Sequence, residues 1–189
     1  MLNHHYLDLS VLDISSTAIE FTKKRLGQRA AQVGWHVGDV TQYDFGPKKF
    51  DLWHDRAVFH FLSDPVARQA YVELVRRSVK PGGYVLMATF GPNGPLQCSG
   101  LEVVRYDDLQ LHHVFGDNFQ LMGSELTEHH TPHGHRSAVS LLLVSGLSLT
   151  PTIHLNEESE NRLLTRVGLA LGNRIKSKDL GNGQFFAIR

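Results

Sequence analysis

The stretch from Phe50 to Phe90, FDLWHDRAVFHFLSDPVARQAYVELVRRSVKPGGYVLMATF, reads as strand, turn, helix and strand. Phe50–Asp55 runs from apolar to polar, as a buried strand does where it emerges at a sheet edge. Asp64-Pro65 opens a helix: the Asp carboxylate accepts from the free N–H groups of the first turn, and Pro at the first helical position sacrifices no bond. Val66, Ala70, Leu74, Val75 and Val79 follow at helical spacing, with Arg68, Glu73, Arg76 and Arg77 opposite. Lys80-Pro81-Gly82-Gly83 is expected to end the helix, because Pro cannot continue it and Gly accepts positive φ. Tyr84–Phe90 is nearly all apolar, as a strand covered on both faces is. A strand, crossover helix and strand in this order make a parallel, right-handed unit.

The flanking sequence extends the pattern. Leu9–Ile14 is a short strand ending in polar residues; Ser15, Ser16 and Thr17 offer N-caps, and Thr17 with Glu20 forms a capping box for a helix over 18–26 that Gly27 ends. Its apolar contacts are expected to be Ile19, Phe21 and Leu26. Val33–Val37 alternates as a strand, followed by Gly38-Asp39-Val40. Gly91–Gly100 is a Gly- and Pro-rich loop of the kind that covers ligands. Asp107 or Asp108 caps a helix through Phe115, with Leu111, Val114 and Phe115 inward. Phe119–Glu128 and Ser137–Val144 read as two adjacent strands. Val11, Leu12, Leu52, Leu74, Val75, Val85, Leu86, Met87, Leu141 and Leu143 are expected to share one interior.

These segments together resemble a class I S-adenosylmethionine-dependent methyltransferase. The likeness rests on "FDLWHDRAVFHFLSDP…YVELVRRSVKPGGYVLMATF" and runs from about Ser10 to Val144. It implies a Rossmann-like α/β fold: an open sheet with helices on both faces, mostly parallel, with an antiparallel last strand. The two strands after the last helix distinguish it from a nicotinamide dehydrogenase, whose common sheet is all parallel. Residues 1–144 are then a partial methyltransferase domain and 145–189 a tail of unassigned role. Within the tail, Leu163, Leu164, Val167 and Leu171 suggest one amphipathic helix, and Gln184–Arg189 a strand.

The resemblance also implies a cofactor, S-adenosyl-L-methionine, and residues to hold it. Asp13, with Ile14 beside it, sits where the family's second strand ends in an acidic residue that accepts from the ribose hydroxyls. The plainer reading is a strand-end Asp bonding the next helix. Asp39 sits where an Asp contacts the adenine amino group, and Val40 where the ring is flanked. The plainer reading of Asp39 is a turn residue. His54 is placed at the cofactor as well. Methyl transfer needs alignment of nucleophile, methyl and leaving sulfur, plus a base where the nucleophile carries a proton. His54, Asp55 and His60 are the candidate catalytic residues. Strand alternation sends His54 and Asp55 to opposite faces. The plainer reading pairs Asp55 with Arg56 and packs His60 in the turn. "WHDR" departs from the Asn/Asp-Pro-Pro-aromatic motif of many nucleic-acid-methylating members, which tilts the acceptor toward a small molecule or a protein side chain.

One part of the family pattern is missing. A Gly-rich loop normally follows the first strand, whereas only Met1–Leu9 precede the strand ending at Asp13. That is short of the ~30 residues of a strand–helix–strand unit. The family's strand order is 3-2-1-4-5-7-6, so losing the first strand bares the inner edges at Val11 and Leu52. The two edges pair directly, the tail fills the gap, another chain does, or the product is truncated. A non-catalytic remnant or interaction module is therefore the alternative to an enzyme.

Composition bounds the rest. The chain has 189 residues and is 41% apolar, enough for a packed core. Lys+Arg 19 balances Asp+Glu 19 without a dense basic run, which argues against a nucleic-acid surface. One cysteine, Cys98, precludes an internal disulfide, and with no leader-like start it points to the cytoplasm. No stretch approaches the ~18 apolar residues of a membrane helix. His129, His130, His133 and His135 invite a metal, but they lack regular spacing and read as a hairpin tip, so no metal is expected. The sequence does not set an oligomeric state.

Overall fold

The structure, a computed structural model, describes residues 8–56, 58–130, 136–146 and 185–188. In chain order the elements are β1 (Leu9–Asp13), α1 (Ser16–Leu26), β2 (Val33–Val37), β3 (Phe50–Arg56), α2 (Pro65–Ser78) and β4 (Val79–Phe90). A two-stranded ribbon of β5 (Gln97–Cys98) and β6 (Leu101–Glu102) follows, then α3 (Asp108–Phe115), β7 (Phe119–His130), β8 (Arg136–Gly146) and β9 (Phe185–Ile188). Seven strands form one sheet in the order β2-β1-β9-β3-β4-β8-β7.

β1 and β2 are parallel, as are β3 and β4, while β8 runs antiparallel to both β4 and β7. β9 lies between β1 and β3, antiparallel to each: Leu12 and Asp55 both register on Phe185, and Leu9 and Leu52 both on Ile188. The position between the two parallel pairs is thus filled by residues 185–188, one of the alternatives the sequence left open. It is filled in the reverse direction. The region of the expected tail helix, and His133 and His135, lie outside the described residues. His129 and His130 continue β7, opposite Ser137 and Arg136.

Helices cover both faces. On one, Tyr71, Leu74 and Val75 of α2 and Leu111 and Phe115 of α3 pack on Trp53, Val85, Met87, Leu142 and Val144. On the other, Ile19 of α1 packs on Leu9, Val11 and Val33, and a smaller group joins Leu86 and Leu143 to Leu52. The expected core residues are therefore divided between the two faces of the sheet instead of sharing one interior. Leu52 is only partly buried, and the side chain of Leu141 lies outside the described set.

Asp64 caps α2, its carboxylate accepting from the Val66 N–H at 3.1 Å, with Pro65 next. Asp107 caps α3 in a capping box with Gln110. Of the three caps offered for α1, Ser15 is used, its extended backbone aiming Oγ at the Ala18 N–H, 3.2 Å away, and Thr17 lies inside the helix, so the Thr17–Glu20 capping box does not form. Phe21 and Val66 are exposed, at 65% and 71%, so neither belongs to the buried face. Lys80–Gly83 is not a helix-ending turn. α2 stops at Ser78, and the four residues bulge out of β4 between the pairs Phe50–Val79 and Leu52–Tyr84. Gly82 has φ +74°, and a Cβ on Gly83 would lie 2.8 Å from Val79 Cγ1, so both positions need glycine.

Candidate active site

The carboxyl ends of β1, β2, β3 and β4 meet at one edge of the sheet, where open α/β sheets bind ligands. At β1, the Asp13 carboxylate is 4% exposed, and its Oδ1 accepts from the Ser15 N–H at 2.7 Å. Its own carbonyl accepts from the Gly38 N–H at 3.1 Å, joining the exit of β1 to that of β2. Ile14 beside it is 74% exposed. At β2, Asp39 Oδ1 accepts from the N–H and the hydroxyl of Thr41, each at 2.8 Å. Gly38 is confined by Tyr43, whose ring lies 2.9 Å from where a Cβ would stand, and Tyr43 is held by His36 at 2.7 Å. The exits that carry Asp13, Ile14, Asp39 and Val40 therefore come together. Val40 is buried, its side chain part of the core.

β3 divides its side chains between faces. Trp53 and Asp55 point toward α2, and His54 and Arg56 to the other side. Asp55 is fully buried. It accepts from the Val58 N–H (2.9 Å), the Phe59 N–H (3.2 Å) and the Tyr71 hydroxyl (2.6 Å), and Tyr71 in turn accepts from Trp53 Nε1 (3.0 Å). Burial pushes the Asp55 carboxyl up to about 6, against the lowering effect of these donors. The expected Asp55–Arg56 ion pair does not form: the two lie on opposite faces, and Asp55 is held by Tyr71 and the turn. Sequence reasoning missed Tyr71 as its partner and Trp53 as the donor behind Tyr71. The signal was there for Trp53, two residues earlier on the strand and so on the same face.

The turn that Asp55 holds carries His60. Its ring is 1% exposed, stacked on Phe90 at 4.7 Å and against Phe61 at 4.4 Å. Neither ring nitrogen has a hydrogen-bond partner among the described residues. The following loop is stitched over it: Val104 N–H donates to the His60 carbonyl at 2.8 Å and Tyr106 N–H to that of Phe90 at 2.9 Å. Cys98 stands in the β5–β6 ribbon as a free, partly buried thiol. His54 is 2% exposed, deeper on the same face as Asp13. The structure thus brings Asp13, Ile14, Asp39 and Val40 together, sets His54 below them, and places Asp55 and His60 on either side of the turn after β3.

Burial lowers both His54 and His60 to about 4, with the Arg56 charge a second cause at His54. A histidine with a depressed folded pKa contributes stability that is present above its unfolded value, near 6.5, and is lost as pH falls toward 4. Each such proton changes the slope by about 1.4 kcal/mol per pH unit. His60→Phe, which keeps a ring on Phe90, is expected to flatten the loss of stability between pH 6.5 and 4 by about one proton. Urea unfolding at pH 7, 5 and 4 measures it; an unchanged slope would show that His60 is protonated freely in the folded chain.

Known proteins bear on this geometry. Residues 1–83 match the family model described as a methyltransferase domain. Among solved structures, a SAM-dependent methyltransferase from Methanosarcina mazei superposes with TM-score 0.61 at 18% identity, over 75% of this chain and 82% of that one. The N-methyltransferase NodS from Bradyrhizobium japonicum gives 0.59 at 15%, over 74% and 73%. A 1,6-didemethyltoxoflavin-N1-methyltransferase from Burkholderia thailandensis, solved with 1,6-didemethyltoxoflavin and S-adenosylhomocysteine, gives 0.58 at 16%, over 74% and 61%. No curated protein matches the sequence significantly. The fold is that of the class I S-adenosylmethionine-dependent methyltransferases. Among the described residues no helix is long and apolar enough to cross a membrane, and no cluster of metal-ligating side chains occurs.

Proposed function

We propose that this chain is an S-adenosylmethionine-dependent methyltransferase acting on a small molecule. The observation that carries the reading is the meeting of Asp13 and Asp39 at the exits of adjacent parallel strands, within this fold. The residues fit the cofactor. Asp39 Oδ2 has no partner among the described residues and can accept from an adenine amino group, while Ile14 offers exposed apolar surface to a ring. A carboxylate at Asp13 can accept from vicinal ribose hydroxyls. The cofactor, when bound, supplies the methyl group on its sulfonium. The protein's own work is alignment, water exclusion and acceptance of the acceptor's proton. Of the base candidates, His60 is neutral at pH 7, and neither ring nitrogen has a hydrogen-bond partner among the described residues. In this reading its ring takes the proton, Asp55 positions the turn that carries it, and His54 supports the cofactor from below.

Asp13→Ala removes a charged acceptor from two hydroxyls. Hydrogen bonds to charged groups contribute about 1.5–3 kcal/mol, roughly ten- to a hundredfold in affinity. Calorimetric titration with S-adenosylhomocysteine is expected to show that loss, and a milder one for Asp13→Asn. Equal binding by the native chain and Asp13→Ala would remove the ribose assignment.

A second reading, a non-catalytic module of the same fold, is favoured by β9. The strand between β1 and β3 presents its amino end at the crevice edge, where a first strand would present its carboxyl end. Absence of S-adenosylhomocysteine binding by the native chain at millimolar concentration would select that reading.

A further inference from the structure

We propose that Arg56 is the anchor for an oxyanion on the methyl acceptor, so that the substrate is a carboxylate- or phosphate-bearing small molecule; this rests on the methyltransferase reading above. Arg56 is the last residue of β3, at the carboxyl edge, and its side chain is half-buried. Among the described residues it makes no hydrogen bond and no ion pair. A guanidinium withdrawn from water is ordinarily matched by a carboxylate or several carbonyls, because desolvating an unmatched cation is costly. Burial indeed lowers its proton affinity. Several other basic side chains find acceptors: Arg68 the carbonyls of Leu62 and Ser63, Arg76 Glu73, Arg77 Asp44 and Lys80 Asp51.

The position of Arg56 gives the unmatched charge a meaning. Leu12 and Asp55 share a register on Phe185, so Asp13 and Arg56, one residue further along, stand level on the two sides of β9. Two strand spacings put their backbones about 10 Å apart. Arg56 registers with Ala88, and Phe90, two residues along the same face, carries the His60 ring. The charged groups packed near it are few: Asp55 faces away, and His54 is neutral at pH 7. At one edge and on one face, the sheet thus offers a cofactor-side carboxylate, together with a guanidinium and a buried imidazole whose nitrogens have no hydrogen-bond partner among the described residues. A guanidinium takes a carboxylate or a phosphate in a planar, bidentate pair. An acceptor held that way between Asp13 and Phe90 lies beside His60.

The test is an NMR titration of the arginine side-chain Nε–H signals at constant ionic strength, with sodium acetate in one arm and inorganic phosphate in the other. The Arg56 signal is identified by its loss in Arg56→Lys. A saturable shift confined to that signal is expected in at least one arm, and the stronger arm names the anion. Arg56→Gln is expected to weaken the response roughly tenfold or more, read from backbone amides near Ala88. A linear shift shared by all arginines, or no shift at Arg56, overturns the anchor, and the native chain decides this even where Arg56→Gln fails to fold. Calorimetry with S-adenosylhomocysteine on the same samples separates the two readings. Cofactor binding without an Arg56 shift defeats the anchor alone. An Arg56 shift without cofactor binding defeats the methyltransferase reading and leaves an anion site.

Discussion

Deleting residues 185–189 is expected to abolish cooperative folding. β9 is bonded on both sides, to β1 through four registered pairs and to β3 through four more. Without it the inner edges of β1 and β3 are left open in the middle of the sheet, beside the buried Val11, Leu12, Trp53 and Asp55. Each buried backbone group left unpaired costs about 1–3 kcal/mol, and several together rival a domain's total stability of about 5–15 kcal/mol. Circular dichroism in a urea series should show a broad, featureless change where the full chain shows one transition. Ala187→Pro is a single-residue version, since Pro cannot donate to a ladder and is confined to edge strands. A midpoint within experimental error of the full chain for both variants would place residues 185–188 outside the sheet.

Asp55→Ala is expected to cost about 3 kcal/mol or more. It strips the acceptor from the Val58 and Phe59 N–H groups and from the Tyr71 hydroxyl, all in a site without water access. Asp55→Asn separates charge from hydrogen bonding. With its folded pKa raised from 3.8 to about 6, Asp55 contributes stability that is fully present below the unfolded value and is lost as pH rises through about 6. Asn cannot ionise, so the native chain's advantage over Asp55→Asn should shrink between pH 4 and 7, by up to about 3 kcal/mol. An advantage that widens with pH would mean that the three donors outweigh burial and hold Asp55 ionised. This dependence runs opposite to that of His54 and His60. Between pH 4 and 6 the two histidines outweigh the one carboxyl, so the native chain as a whole is expected to weaken on acidification.

Much of the fold was legible because its signals are local. Asp64-Pro65 capped α2 and the apolar run from Tyr84 made β4, since cap chemistry and two-sided burial are written within a few residues. The errors came where a neighbour distant in sequence decided. Lys80–Gly83 looks like a helix stop, but β3 pairs with Val79 before the glycines and so draws them into a bulge. Phe21 and Val66 have helical spacing yet face out, because each helix packs one narrow stripe on the sheet. At the site, the convergence of Asp13 with Asp39 followed from two strand ends, whereas the Trp53–Tyr71–Asp55 chain joins a strand to a helix 16 residues on. Residues 184–189 gave a strand signal but no partner, and nothing local states that both partners lie more than a hundred residues away.

That separation governs how the sheet is made. β1 and β9 are neighbours in space, yet Asp13 and Phe185 are 172 positions apart in the sequence (185 − 13). During synthesis, β1, β2, β3 and β4 all emerge long before the strand that joins their two pairs. The nascent chain therefore carries two half-sheets, each with an unmatched inner edge, until residues 185–188 arrive. Open edges of this kind recruit other strands, and long-range closure is slow. Such a chain spends its assembly exposed to self-association in a way that a fold with its central strand made first does not, and its yield on expression should depend on chaperones and temperature more than its finished sheet suggests.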